Sequence, residues 1–328
     1  MPELEIIVRN SRIFLEAQAK EQSVSTIRGL LVVILATICW SFSGLFITLI
    51  MQGSQINPIG LAFWRDLFTS LILVIGLGIF RRDLLRIKIR DLPWLILMGM
   101  VSIGTFHVLW NITVMLNGVS VATVIQCNAP IFVTIIARII WKENFTINKI
   151  IAILLATTGT ILIAGIQGFG VMKITLTGLL VGLLSAVAYG STSLIGKKLS
   201  ADYSTWTIIT YAFGFAALAL MPLQVFNLGA PLIVLSPVLI YFMLLILIST
   251  IAGYKLYTTG LSLLPASVAS IASTAEVFFA ALFSFLILGQ TMDMWQLMGA
   301  ILVVSGVVIV SLSQRKKSKQ KILELPIG

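Results

Sequence analysis

Residues 105–132 read TFHVLWNITVMLNGVSVATVIQCNAPIF, and residues 252–279 read AGYKLYTTGLSLLPASVASIASTAEVFF in the same apolar phase, 147 positions later. Ser120-Val121-Ala122-Thr123 returns as Ser267-Val268-Ala269-Ser270. Without a gap the register also sets His107 on Tyr254, Trp110 on Tyr257, Phe132 on Phe279 and Gly159 on Gly306. The openings of the two copies agree as well: Gly29-Leu30-Leu31-Val32 corresponds to Gly178-Leu179-Leu180-Val181, which places Trp40 opposite Tyr189. The chain therefore reads as two copies of one unit.

Composition identifies the solvent. Of the 328 residues, 59% are hydrophobic and only 10% charged, and the mean hydropathy is +1.07. A soluble chain needs charge to cover its surface, whereas a chain in hydrocarbon must satisfy every backbone group within helices or a closed barrel. Long apolar runs, rather than short alternating ones, select helices. Ten such runs are expected: 29–51, 58–80, 92–116, 119–140 and 147–166 in the first copy, then 176–195, 206–226, 237–257, 265–288 and 295–312 in the second. Turn formers punctuate them, among them Asn57-Pro58, Asn117-Gly118, Ser236-Pro237 and Leu264-Pro265. The fold class is thus all-α integral membrane, organised as a tail (1–28), a five-helix repeat (29–166), a connecting loop (167–174), a second repeat (175–312) and a basic tail (313–328).

The net charge of +10 serves orientation rather than nucleic acid, because the basic residues lie between hydrophobic runs instead of along one amphipathic face. Most of them fall on one side, from Arg81, Arg82, Arg86, Lys88 and Arg90 to Arg138, Lys142, Lys149, Lys197, Lys198 and the C-terminal cluster; Lys173 alone falls on the other. Both termini are expected in the cytoplasm of a multi-pass cell-membrane protein. Five crossings are an odd number, so the second repeat enters from the opposite side and the repeats are inverted. That is a physical basis for alternating access. The first 28 residues show no signal peptide and suit either a surface helix or a tail. Cys39 and Cys127 lie inside apolar runs and read as packing residues.

No enzyme constellation is present in the sequence. One histidine excludes an HExxH pair, no G-x-S-x-G elbow occurs, and no glycine-rich loop precedes a Lys-Ser/Thr. No cofactor or metal is expected. Asn111-Ile112-Thr113 matches a glycosylation sequon inside a helix and is set aside.

Over roughly residues 29–312 the chain resembles the drug/metabolite transporter superfamily, specifically its ten-helix EamA-type members. The resemblance is carried by Ala62-Phe63-Trp64-Arg65, by Ser120 through Phe132, by Ala269 through Leu282, and by Gln296-Leu297-Met298-Gly299-Ala300 with Ser305-Gly306. The pattern often has an acid ending both the fourth and ninth helices; Glu143 fits and Gln290 departs. A proline often follows the acid within the ninth helix, and here Val277 follows Glu276. The resemblance implies export of amino acids or other small metabolites, with no particular substrate.

Ten residues are expected to line a central site. His107, Trp110 and Asn111 share a face of the third helix, and Tyr254 and Tyr257 share the corresponding face of the eighth. Glu276 lies mid-span, where a lipid-facing carboxylate would cost roughly 2.5–3.5 kcal/mol, so it must face protein or water and can bind an amine or carry a proton. Arg65, beside Asp66 but pointing elsewhere, can hold a carboxylate or anchor at head groups. Asn128 sits with Gln126 and Pro130 at a break in the fourth helix, while Trp40 and Tyr189 occupy matching places in the first and sixth. Proton coupling through Glu276 or His107 and unassisted diffusion both fit, and the oligomeric state is open. The alternative is a noncatalytic membrane assembly protein in which these groups only pack helices.

Overall fold

A computed structural model of the chain describes residues 24–54, 56–117, 119–164, 175–225, 238–288 and 293–323. The expected N-terminal surface helix and the connecting loop lie outside the described residues. Ten described helices are long and apolar enough to cross a membrane. We number them α1 (Val24–Gly53), α2 (Ile59–Phe80), α3 (Ile89–Trp110), α4 (Val121–Trp141), α5 (Ile147–Ala164), α6 (Leu176–Leu199), α7 (Thr205–Gln224), α8 (Leu239–Leu263), α9 (Ala266–Ile287) and α10 (Met294–Gln314).

Each expected crossing has its helix, with the ends displaced where local chemistry extends or stops the turn. The helix of α2 starts at Pro58, whose missing N–H costs nothing in a first turn; Asn57 caps it by accepting from Gly60 N at 2.6 Å. The sixth and eighth helices run past the expected ends to Leu199 and Leu263. In α6 the added turn ends on Lys197 and Lys198, cations suited to a helix C-terminus. In α8 it continues until the extended Leu264 before Pro265 halts it.

Irregularities recur at the repeat spacing. A π-helical stretch at Met98–Thr105 in α3 has its counterpart at Leu245–Ala252 in α8. The turn that breaks α4 at Cys127–Asn128 has its counterpart at Thr274 in α9. Helix packing follows the same exchange of copies: α2 packs on α7, α4 on α9 and α5 on α10, while α3 on α6 is matched by α8 on α1. The α5–α10 contact uses small residues. A Cβ at Gly159 would sit 2.5 Å from the carbonyl oxygen of Gly299, and one at Gly299 would sit 2.5 Å from that of Gly159, so only glycine allows these backbones to meet.

Candidate functional site

The centre is built by side chains set back from the helix ends. Trp40 of α1 is its hub: its ring centroid lies 4.9 Å from Tyr257, 5.2 Å from Tyr254 and 6.4 Å from Tyr189. Gly253 permits this, since a Cβ there would fall 2.6 Å from the indole. Phe213 extends the cluster from Tyr254, and Phe106 extends it from Tyr189 towards Trp110 and His107. The expected pairing of the third-helix face with its eighth-helix counterpart is thus indirect, running through Trp40, Phe106 and Tyr189.

Within the cluster the residues differ in role. Tyr257 is 1% exposed and shares a 2.6 Å hydrogen bond with Ser193, so it holds α8 to α6. Trp40 and Tyr254 are also buried, whereas Tyr189, Trp110, Asn128 and Glu276 keep partial exposure. Trp40 Nε1 has no partner among the described residues. Asn128 donates from its side-chain amide to Ile125 O at 2.8 Å, closing the end of the first half of α4 at the break. Asn111 lies on the helical run Phe106–Asn117, but its side chain is outside the described residues.

Arg65, Asp66 and His107 form one polar knot. Adjacency in a helix gives neighbouring side chains different directions, yet Arg65 Nε bends back to 3.4 Å from Asp66 Oδ1. His107 of α3 supplies the reason. Its Nδ1 lies 3.0 Å from Asp66 Oδ2, and Arg65 Nη2 lies against both ring nitrogens, 2.8 Å from Nδ1. A guanidinium only donates, so the coherent assignment is a neutral imidazole whose Nδ1–H donates to Asp66 and whose Nε2 accepts from Arg65. Asp66 is fully buried and the Arg65 side chain is 13% exposed. Arg65 is therefore no snorkelling anchor.

Glu276 differs from these. It enters the second half of α9, in the first turn of Ala275–Leu288, immediately after the Thr274 break. Its carboxylate makes no hydrogen bond or ion pair among the described residues, although Tyr189, Tyr254 and Cys127 are within its electrostatic reach. Residues 276–283 are all half-buried rather than alternately buried and exposed, and Phe283 is met across from α1 by Phe42, with ring centroids at 4.5 Å.

A second polar cluster lies at one end of the bundle and was not among the expected site residues. The left-handed Lys142 (φ 53°) turns the chain out of α4 so that Glu143 faces α9. Glu143 Oε1 accepts from Ala266 N at 3.0 Å, capping α9 with a full charge, while Oε2 accepts from Ser267 Oγ. Lys149 Nζ lies 3.1 Å from Glu143 Oε2 and donates to Ser267 Oγ at 2.6 Å. Five residues before Ala266, Leu261 O accepts from Lys197 Nζ of α6 at 2.7 Å, which secures the end of α8. Lys149 had the appearance of one more orienting charge; its 6% exposure places it inside the protein.

Comparison with known proteins supplies the family. An uncharacterized inner membrane transporter, YicL of Salmonella typhimurium, is 28% identical over 300 residues, covering 90% of this chain and 99% of its own. An uncharacterized transporter of Archaeoglobus fulgidus is 26% identical, covering 82% and 95%, and the uncharacterized transporter YdfC of Bacillus subtilis is 26% identical, covering 80% and 85%. One solved crystal structure superposes with a TM-score of 0.72 over 88% of this chain and 98% of its own; at 15% identity it speaks for the fold alone. The EamA-like transporter family matches residues 27–165 and again residues 176–312, one match for each five-helix repeat. The chain is a multi-pass membrane transporter, not an enzyme, and belongs to the EamA-like transporter family.

Proposed function

We propose that this protein is a secondary transporter that exports small metabolites, amino acids among them, by alternating access of two inverted five-helix halves around Glu276 and the Trp40 ring cluster. The observation that carries the reading is Glu276 itself. A carboxylate midway along a membrane helix, without a protein partner among the described residues, is costly unless a substrate, a proton or water meets it. An assembly protein would gain from pairing that carboxylate in a helix contact. The matched breaks in α4 and α9 and the matched π stretches in α3 and α8 support motion of the two halves as units of one design. Outward direction follows the family resemblance. Cytoplasmic placement of both termini follows the Lys and Arg distribution.

Of the groups that could couple transport to protons, Glu276 is the free one, since His107 is committed to Asp66 and Arg65. Trp110, half-buried beside Phe106, stands at the rim of the ring cluster. The test is counterflow of a panel of radiolabelled amino acids and related metabolites in proteoliposomes, with Glu276→Gln and Trp110→Ala alongside the unaltered protein. Saturable exchange of at least one compound is expected, reduced tenfold or more by Glu276→Gln while the protein remains monodisperse. No movement of any compound by a folded protein would overturn the amino-acid and small-metabolite reading.

A further inference from the structure

We propose that the centre selects its cargo by positive charge: the favoured substrate is an organic ammonium ion with an apolar body, and a carboxylate on it is dispensable. The inference rests on the carrier reading above and concerns the substrate class of the same centre.

Charge accounting comes first. Three charged groups act on Tyr254 at the heart of the ring cluster: Arg65, Asp66 and Glu276. Arg65 and Asp66 cancel, held together at 3.4 Å and tied through a neutral His107. Glu276 is left over. The nearest further cation along α8, Lys255, is directed to the Trp206 ring of α7 at 5.6 Å. Lys149 is matched by Glu143 at the end of the bundle. Among the described residues the centre therefore presents Glu276 as an anion without a cation partner, while Lys255, the cation beside Tyr254 in sequence that no carboxylate pairs, is turned to the Trp206 ring of α7.

Helix dipoles do not reverse this balance. The half-helices beginning at Ala129 and Ala275 would attract an anion if their amino ends stood alone. Each begins directly after a one- or two-residue turn, so the carbonyl end of the preceding half lies beside it and the partial charges largely offset. Glu276 further occupies the first turn of its own half-helix.

The walls favour the same sign. Trp40, Tyr189 and Tyr254 meet edge to face, and aromatic rings attract cations to their π faces, most strongly where water is scarce. The partly exposed pair, Tyr189 and Glu276, is where the ammonium would arrive, against the buried rings behind. A substrate carboxylate has no comparable seat. At Arg65 it would have to share a guanidinium already turned to Asp66 through Nε and to His107 through Nη2, on a side chain only 13% exposed. The unpartnered Trp40 Nε1 asks only for a neutral acceptor such as a hydroxyl.

The experiment uses four probes that share a phenyl ring and differ in charge: phenethylamine, benzyltrimethylammonium, phenylalanine and 3-phenylpropanoate. Half-saturation is read from the ligand-dependent rise in thermal midpoint of the purified full-length protein, with Glu276→Gln and Glu276→Asp in parallel. The two cations are expected to saturate at concentrations at least tenfold below 3-phenylpropanoate and no higher than phenylalanine. Glu276→Gln should raise their half-saturation tenfold or more, and Glu276→Asp should keep the order of the series. Preference for 3-phenylpropanoate, or an unchanged order in Glu276→Gln, overturns the assignment. Should the cations fail to bind while some anionic or neutral metabolite exchanges in proteoliposomes, the charge assignment falls and the carrier reading stands. Absence of both binding and exchange removes both.

Discussion

Asp66 shows how a single carboxylate fixes the meaning of its neighbours. It is fully buried, and what permits its burial is the guanidinium of Arg65 on one oxygen and the imidazole of His107 on the other. Removing one member of a buried pair leaves the other as an uncompensated charge, at a cost of about 3–5 kcal/mol, whereas removing both is far milder. Asp66→Asn is therefore expected to lower stability by about that amount, and Arg65→Gln with Asp66→Asn to recover most of the loss. Thermal midpoints of the purified variants decide it, and equal loss in the single and double variants would refute the pairing. Arg65, His107 and Glu276 were legible in the sequence as polar residues in apolar runs. The bond between Arg65 and Asp66 was not, because adjacency on one helix predicts divergence and the element that reunites them, His107, comes 41 residues later.

At the scale of elements, an ion pair of the first repeat, Glu143 with Lys149, is hydrogen-bonded to the first turn of α9 in the second. Glu143 caps α9 through Ala266 N, and Lys149 closes the arrangement on Ser267. Glu143→Gln alone should be destabilising by about 3–5 kcal/mol, since Lys149 is buried and would keep its charge without a partner. Glu143→Gln with Lys149→Gln should fold, because the second repeat carries Gln290 and Gln296 at the corresponding positions. What the double variant should lose is this latch, the hydrogen-bonded tie between the end of α4 and the start of α9. A cysteine placed at Ser270, buried one turn deeper in α9, is expected to react with an impermeant maleimide several-fold faster in the double variant than with the latch intact, in a background lacking Cys39 and Cys127. Unchanged reactivity would make the pair a packing feature only. The acid ending the fourth helix was visible in the sequence; its partner was hidden, because Lys149 reads equally well as one of many orienting charges.

For the whole molecule, the repeat was the most legible property and the centre the least. Spacing of 147 residues exposed two units and the equivalence of His107 with Tyr254 and of Trp110 with Tyr257, and the long apolar runs exposed the ten crossings. Which rings would meet was not legible, since Trp40 joins Tyr254 and Tyr257 through a gap that only Gly253 leaves, a relation between α1 and α8 with no trace in either repeat alone. The repeat also yields a test of inversion itself. In inverted halves the positions of Glu143, Lys149 and Ser267 map to Gln290, Gln296 and Ser120 at the opposite end of the bundle. Gln290→Glu with Gln296→Lys, added to Glu143→Gln with Lys149→Gln, should transplant the latch from one end to the other. With the latch in its natural place, a cysteine at Thr123 should be the more reactive of the pair formed with its counterpart at Ser270, and the label should reach it from the outer face. After transplantation the order should reverse, with Ser270→Cys labelled from the cytoplasmic face in inverted vesicles. Two parallel repeats would place both positions at one end and show no such exchange of sides, so the reversal separates an inverted pair of halves from a duplicated bundle that merely packs.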